Sequence, residues 1–189
     1  MSPRPGSCGV ALHRANEERP DATGVTATLL QLGRQMESGA PPPAHSGFIG
    51  RPGGTSVLLV DDDRDFREAA ELVLRQDGYD VTVASNGGEA LERLAALADA
   101  HQPFPDVLVL DFVMPRLSGL GLVRAMQRFK HAPPTILVTG FVDPSVRRFA
   151  ATLGTFRVLR KPFDGEELCA TVEEAVLYAA KARDVSRRA

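Results

Sequence analysis

From Ser56 onward, short apolar runs alternate with amphipathic stretches, five times over. This alternation constrains the chain most, because a run such as VLVL at 107–110 offers water no polar face and needs cover on both sides. Strands of that kind, each followed by a helical pattern, build a parallel sheet between two layers of helices. The strands read from the sequence are residues 57–60, 80–84, 107–110, 135–138 and 156–159. Between them, Phe66, Ala70, Val73 and Leu74 fall on one helical face, as do Leu122, Val123, Met126 and Phe129, and later Leu168, Val172, Ala175, Val176 and Ala179. Asp63 is placed to cap the first helix, Gly78 follows its end, and Ser85 or Asn86 opens the second. The expected fold is α/β, a doubly wound five-stranded parallel sheet.

The rest of the chain reads differently. Residues 1–55 carry "APPPAHSG" and "GRPGG", and are expected to form a mostly disordered N-terminal arm, with "VTATLLQLGRQM" long enough for two or three helical turns. The domain is expected at 56–180, followed by a basic tail at 181–189. Between Ser56 and Ala180 there are 13 Lys and Arg against 19 Asp and Glu, whereas the last nine residues hold four basic groups against one acid. Four charges on a chain end are read as a solvated terminus. No apolar run approaches the roughly 18 residues that span a bilayer, and no signal or transit peptide is recognisable. A cytoplasmic protein without membrane contact is expected. Of the two cysteines, Cys8 lies in the arm and Cys169 in an apolar helical pattern; neither suggests a disulfide or a metal site. His13, His45, His101 and His131 lack metal-ligand spacing, and "GRPGGTS" lacks the ending of a phosphate loop.

In a doubly wound sheet the working crevice opens beyond the carboxyl ends of the strands. "VLLVDDD" delivers Asp61 and Asp62 to that edge, and "VLVLDFVMP" delivers Asp111 from a strand far away in sequence. Carboxylates brought close together repel and raise one another's pKa, so a cation between them is the simplest explanation. Hard oxygen ligands suit Mg²⁺. Asp63 is read as a helix cap instead. Thr139, closing "TILVT", and Lys161, ahead of Pro162, end strands at the same rim. A hydroxyl, an ammonium and a cation around one carboxylate provide the positioning and charge stabilisation that phosphoryl transfer requires.

"VLLVDDD", "VLVLDFVMPRLSG", "ILVTG" and "RKPF", in this order, resemble the receiver domain of bacterial two-component response regulators, over about two thirds of the chain. The resemblance implies a flavodoxin-like sheet of order 2-1-3-4-5. It implies that Asp111 is the phospho-acceptor, that Asp62 directly and Asp61 largely through water bind Mg²⁺, and that Val113 offers its backbone carbonyl to the ion. Thr139 matches the hydroxyl residue that moves toward the phosphoryl group, and Lys161 the lysine that pairs with its oxygens, joined in the family to Pro162 by a cis bond. Gly119 matches the glycine of the loop after the acceptor. One position departs: where the family carries Tyr or Phe, this chain has Val158. Phe156 stands two residues earlier, on the same side of an alternating strand; Gly140 leaves access open, and Phe141 is an alternative source of a ring.

The resemblance points to a stand-alone phosphorylated signalling module rather than an enzyme, catalysing at most its own phosphorylation and dephosphorylation. Its expected partners are a sensor histidine kinase or phosphotransfer protein and an unidentified downstream protein. With about ten residues after the fifth helix, no DNA-binding domain is expected, and a homodimer through the fourth and fifth helices stays open. Two rivals remain at this point. An aspartate-based phosphohydrolase usually has a second acid two residues beyond the nucleophile, where Val113 stands; a pseudo-receiver would bind partners without phosphoryl chemistry.

Overall fold

The computed structural model describes residues 54–188 apart from 130, 131 and 142. The expectations for the arm, Cys8, His13, His45 and His131 lie outside the described residues. Five strands, β1 (Ser56–Val60), β2 (Asp80–Ala84), β3 (Val107–Asp111), β4 (Thr135–Thr139) and β5 (Arg157–Arg160), form one parallel sheet in the order β2-β1-β3-β4-β5. Five helices connect and follow them: α1 (Arg64–Gln76), α2 (Gly87–Asp99), α3 (Gly119–Met126), α4 (Pro144–Thr152) and α5 (Gly165–Arg188).

The sheet is covered on both faces, which is why its central strands need no polar side. α1 and α5 pack Phe66, Val73, Leu74, Leu168 and Val172 against Val57, Leu59, Val107, Val109, Ile136 and Val138. α2, α3 and α4 pack Ala90, Leu94, Leu122, Met126 and Ala150 against the alternate residues Leu58, Val60, Leu108, Leu110 and Leu137. Every residue of β3 and β4 is buried. The helices begin where side-chain acceptors meet their orphan N–H groups: Asp63 accepts from Asp65 and Phe66, Asn86 from Glu89, Ser118 from Gly121, and Asp143 from Ser145 and Val146. Gly78, at φ 93°, turns the chain after α1 in the left-handed region that glycine enters without strain.

Three local expectations are corrected. β5 starts at Arg157, so the alternation does not extend back to Phe156, which sits in the preceding bend. Its ring packs with the α1–α5 face of the core, 5.3 Å from Tyr178, whereas Val158 packs with the opposite face. Phe156 is therefore not on Val158's side. α3 stops at Met126, and Phe129 lies beyond it, meeting Phe104 at 5.2 Å. The helix does not end at Ala180: α5 runs to Arg188, through a stretch rich in Ala, Lys and Arg with no Gly or Pro to stop it.

Candidate functional site

The register of the sheet explains why acids distant in sequence meet. Val60 pairs with Leu110, so the next residues along β1 and β3 are Asp61 and Asp111, side by side at the carboxyl end. This is also where the strand order reverses, between β1 and β3, and connections leave toward opposite faces. On the other flank Asp111 pairs with Val138, and Thr139 pairs with Arg160, which brings Lys161 to the rim. The backbone N–H of Lys161 donates to the Thr139 carbonyl at 2.8 Å. The Lys161–Pro162 bond is cis.

Lys161 is the centre of the arrangement. Its Nζ donates to Asp61 Oδ2 and to Asp111 Oδ1, both at 2.9 Å. The other oxygen of each acid is occupied as well: Asp63 N–H donates to Asp61 Oδ1 at 2.8 Å, and Val113 N–H to Asp111 Oδ2 at 2.7 Å. Asp61 is 1 % exposed and Asp111 9 %, while Asp62 is half-buried at the mouth. Behind Asp61, Arg67 donates to its backbone carbonyl at 2.7 Å. Gly119 permits the close approach of α3: a Cβ there would stand 2.3 Å from the Asp111 carbonyl oxygen.

Burial pushes the Asp61 carboxyl up to about 6, with Lys161 opposing and Asp111 reinforcing the rise. Asp111 shifts upward for the same reason, burial, against the pull of Lys161. Lys161 feels the reverse balance: burial works to lower its pKa, but the two carboxylates outweigh it and hold the ammonium above its ordinary range. All three shifts run upward: burial outweighs the one counter-charge for each acid, whereas two carboxylates together outweigh burial for the ammonium.

Among the described residues, no group of three or more Asp, Glu, His or Cys side chains could by itself hold a metal ion, so the three carboxylates do not form a cage. What Asp61 and Asp111 share is the Lys161 ammonium, which takes the place between them where the sequence suggested a metal cation. Mg²⁺ needs no cage, because it keeps several waters and takes one or two carboxylates. Asp61, Asp62 and Asp111, when ionised, outnumber the Lys161 charge by two. The carboxylate oxygens of Asp61, Asp62 and Asp111 are hard donors of the kind that suit a divalent ion such as Mg²⁺.

Thr139 is brought to the rim, but its hydroxyl is engaged with the loop beyond β4. It accepts from the Phe141 N–H at 3.1 Å and donates to the Phe141 carbonyl at 3.0 Å. Phe141 itself is 67 % exposed, so its ring does not fill the place beside Val158. Cys169 is buried and free, and burial pushes its thiol up to about 12, as befits a packing residue. The sequence reading missed Phe66 as a neighbour of the site. It was assigned correctly to the core face of α1, but nothing in its spacing shows that its ring also lies 3.9 Å from the Lys161 Nζ.

The family model described as the response regulator receiver domain matches residues 57–173. Response regulator MprA of Mycobacterium leprae is 38 % identical over 130 residues, covering 69 % of this chain and 54 % of its own. The DNA-binding transcriptional regulator NtrC of Escherichia coli K12 is 37 % identical over 122 residues, covering 65 % of this chain and 25 % of its own. Among solved structures, the chemotaxis protein CheY4 of Vibrio cholerae superposes with a TM-score of 0.56 at 31 % identity, over 65 % of this chain and 98 % of that one. The chain thus spans about half the length of MprA and a quarter of NtrC. NtrC, by its name a DNA-binding regulator of which this chain matches a quarter, overturns the expectation that no DNA-binding domain accompanies such a domain. A module with its own core serves equally well within a longer regulator, so the few residues after its last helix were no guide to what it works with.

Proposed function

The chain belongs to the response regulator receiver family, and from that premise we infer that Asp111 accepts a phosphoryl group from a phosphohistidine of a sensor kinase or phosphotransfer protein. The single observation that carries this reading is the Lys161 ammonium at 2.9 Å from both Asp61 and Asp111, at the carboxyl edge of a switch-point sheet.

A carboxylate oxygen of Asp111 attacks phosphorus; the new P–O bond forms as the P–N bond breaks. The electron pair leaves with the imidazole nitrogen, which takes up a proton. Lys161 is placed to follow the incoming phosphoryl oxygens, and the Val113 N–H steadies the acceptor carboxylate. Asp62, Asp111 and the Val113 carbonyl would hold Mg²⁺, with Asp61 acting largely through water. When bound, the ion supplies neutralising charge to the phosphoryl oxygens. Thr139 must release Phe141 before its hydroxyl reaches a phosphoryl oxygen, and this release frees the loop that leads into α4. Gain of roughly one to two negative charges at Asp111 is thereby linked to the surface of α4 and β5. On this reading the chain is a phosphoryl acceptor that acts on its own acyl phosphate and turns over no separate substrate.

The test is incubation with Mg²⁺ and acetyl phosphate. Covalent phosphate that hydroxylamine removes is expected on the wild type and absent from Asp111→Asn. Equal labelling of both would remove Asp111 from the role, and steady hydrolysis of small phosphate esters would favour a phosphohydrolase.

A further inference from the structure

The ammonium of Lys161 has a third neighbour besides its two acids. The ring of Phe66 lies behind it, with the Nζ 3.9 Å from the ring centroid. Phe66 belongs to the first turn of α1, which Asp63 starts immediately beyond the β1 acids, and it is 2 % exposed. Phe163 meets it edge-on, with centroids 5.8 Å apart and planes at 88°. Phe163 lies two residues after Lys161, so the segment that carries the ammonium also braces the ring beneath it.

A lysine ammonium has three N–H donors on a flexible four-carbon stem. Two of its directions are taken by Asp61 and Asp111, and its side chain is only 18 % exposed, so water does little to satisfy the remainder. The negative face of an aromatic ring within about 6 Å attracts a cation, most strongly when the cation is desolvated. A leucine, apolar but smaller, would occupy part of the space without that attraction. The three contacts also differ in permanence. Asp111 changes character when it becomes an acyl phosphate, and Asp61 feels any cation bound beside it, whereas the ring has no group that phosphorylation or a cation would alter chemically.

Resting on the reading of Asp111 as acceptor, we propose that Phe66 is a positioning residue: its ring face holds the Lys161 ammonium where the phosphoryl oxygens on Asp111 arrive. Phe66 touches no reacting atom and acts through Lys161.

The test replaces Phe66 in the full chain with phenylalanines bearing one, two and three ring fluorines, which drain the negative face while nearly preserving shape. Two quantities are read: the rate of Mg²⁺-dependent phosphoryl uptake from acetyl phosphate, and the mobility of the Lys161 side chain by NMR. The rate is expected to fall stepwise with fluorine number, by about tenfold across the series, while mobility rises and the melting temperature holds. Phe66→Leu is expected to match the trifluoro protein in rate and in Lys161 mobility while melting lower, because the smaller side chain packs less well. The melting criterion therefore applies to the fluorinated series alone. Rates and mobility indifferent to fluorination would overturn the proposal, and so would a melting temperature that falls in step with the rate, the mark of lost packing. Absence of phosphate uptake by the unmodified chain would instead overturn the acceptor reading, and the NMR mobility still reports on the ring contact by itself.

Discussion

At Gly119 a single hydrogen atom decides whether α3 can start against the acceptor strand. A methyl group there would meet the Asp111 carbonyl oxygen at 2.3 Å, a distance that neither backbone can accept unmoved. Gly119→Ala is expected to cost about 1–3 kcal/mol in urea denaturation and to slow phosphoryl uptake, because the acceptor's own backbone must shift. Unchanged stability would show that α3 yields more readily than its packing suggests. The placement of Asp61, Asp62, Asp111, Thr139 and Lys161 at one edge was legible in the sequence because they stand at or just past the ends of strands, and strand ends of a parallel sheet gather there. The ring of Phe66 behind Lys161 and the grip of Phe141 on the Thr139 hydroxyl were not legible. Both depend on how a helix turn or loop lies across the rim, which residue spacing does not encode.

Strands and helices were legible to within a residue or two wherever burial on both faces or a cap fixed them. β2 matches its expected bounds, and Asp63 and Asn86 cap as their side chains predict. Phe156 was misplaced because alternation holds only inside a strand and β5 begins one residue later. The start of α2 offers the clearest test of an element. Glu89 accepts from the backbone N–H and the hydroxyl of Ser85, both at 2.8 Å, and pairs with Arg93. These bonds, the Ser85 N–H foremost, hold its carboxyl down at about 2 against an ordinary value of 4.5. A depressed carboxylate contributes stability that is present above about 4.5 and is lost as the pH falls through 2. Glu89→Gln is expected to cost about 0.5 kcal/mol at neutral pH, the low end for a partly exposed cap. The gap between the two proteins should close toward pH 2 in urea denaturation; a gap independent of pH would mean that the carboxylate's charge plays no part.

Across the whole molecule, one sheet between two helix layers brings four strand ends and their side chains to a common rim, and places the loop after β4 between that rim and α4. With three acids against one lysine at the rim, the fold is expected to respond to a divalent ion. Mg²⁺ is expected to raise the melting temperature with the logarithm of its concentration, adding about 2.7 kcal/mol at a hundred times its dissociation constant. Asp62→Asn should weaken the effect, and a melting temperature indifferent to Mg²⁺ would count against the metal assignment. The fold class was readable because five repeats of strand and helix admit few architectures; how the domain is used in a longer protein was not, since a surface carries no signature of the module beside it. The most direct measurement of the central claim is borohydride trapping after exposure to a phosphorylated histidine kinase, followed by peptide mass mapping. Reductive conversion to homoserine at position 111 alone, dependent on Mg²⁺, is expected; trapping at another aspartate, or none from any donor that labels other receivers, would contradict Asp111 as the acceptor.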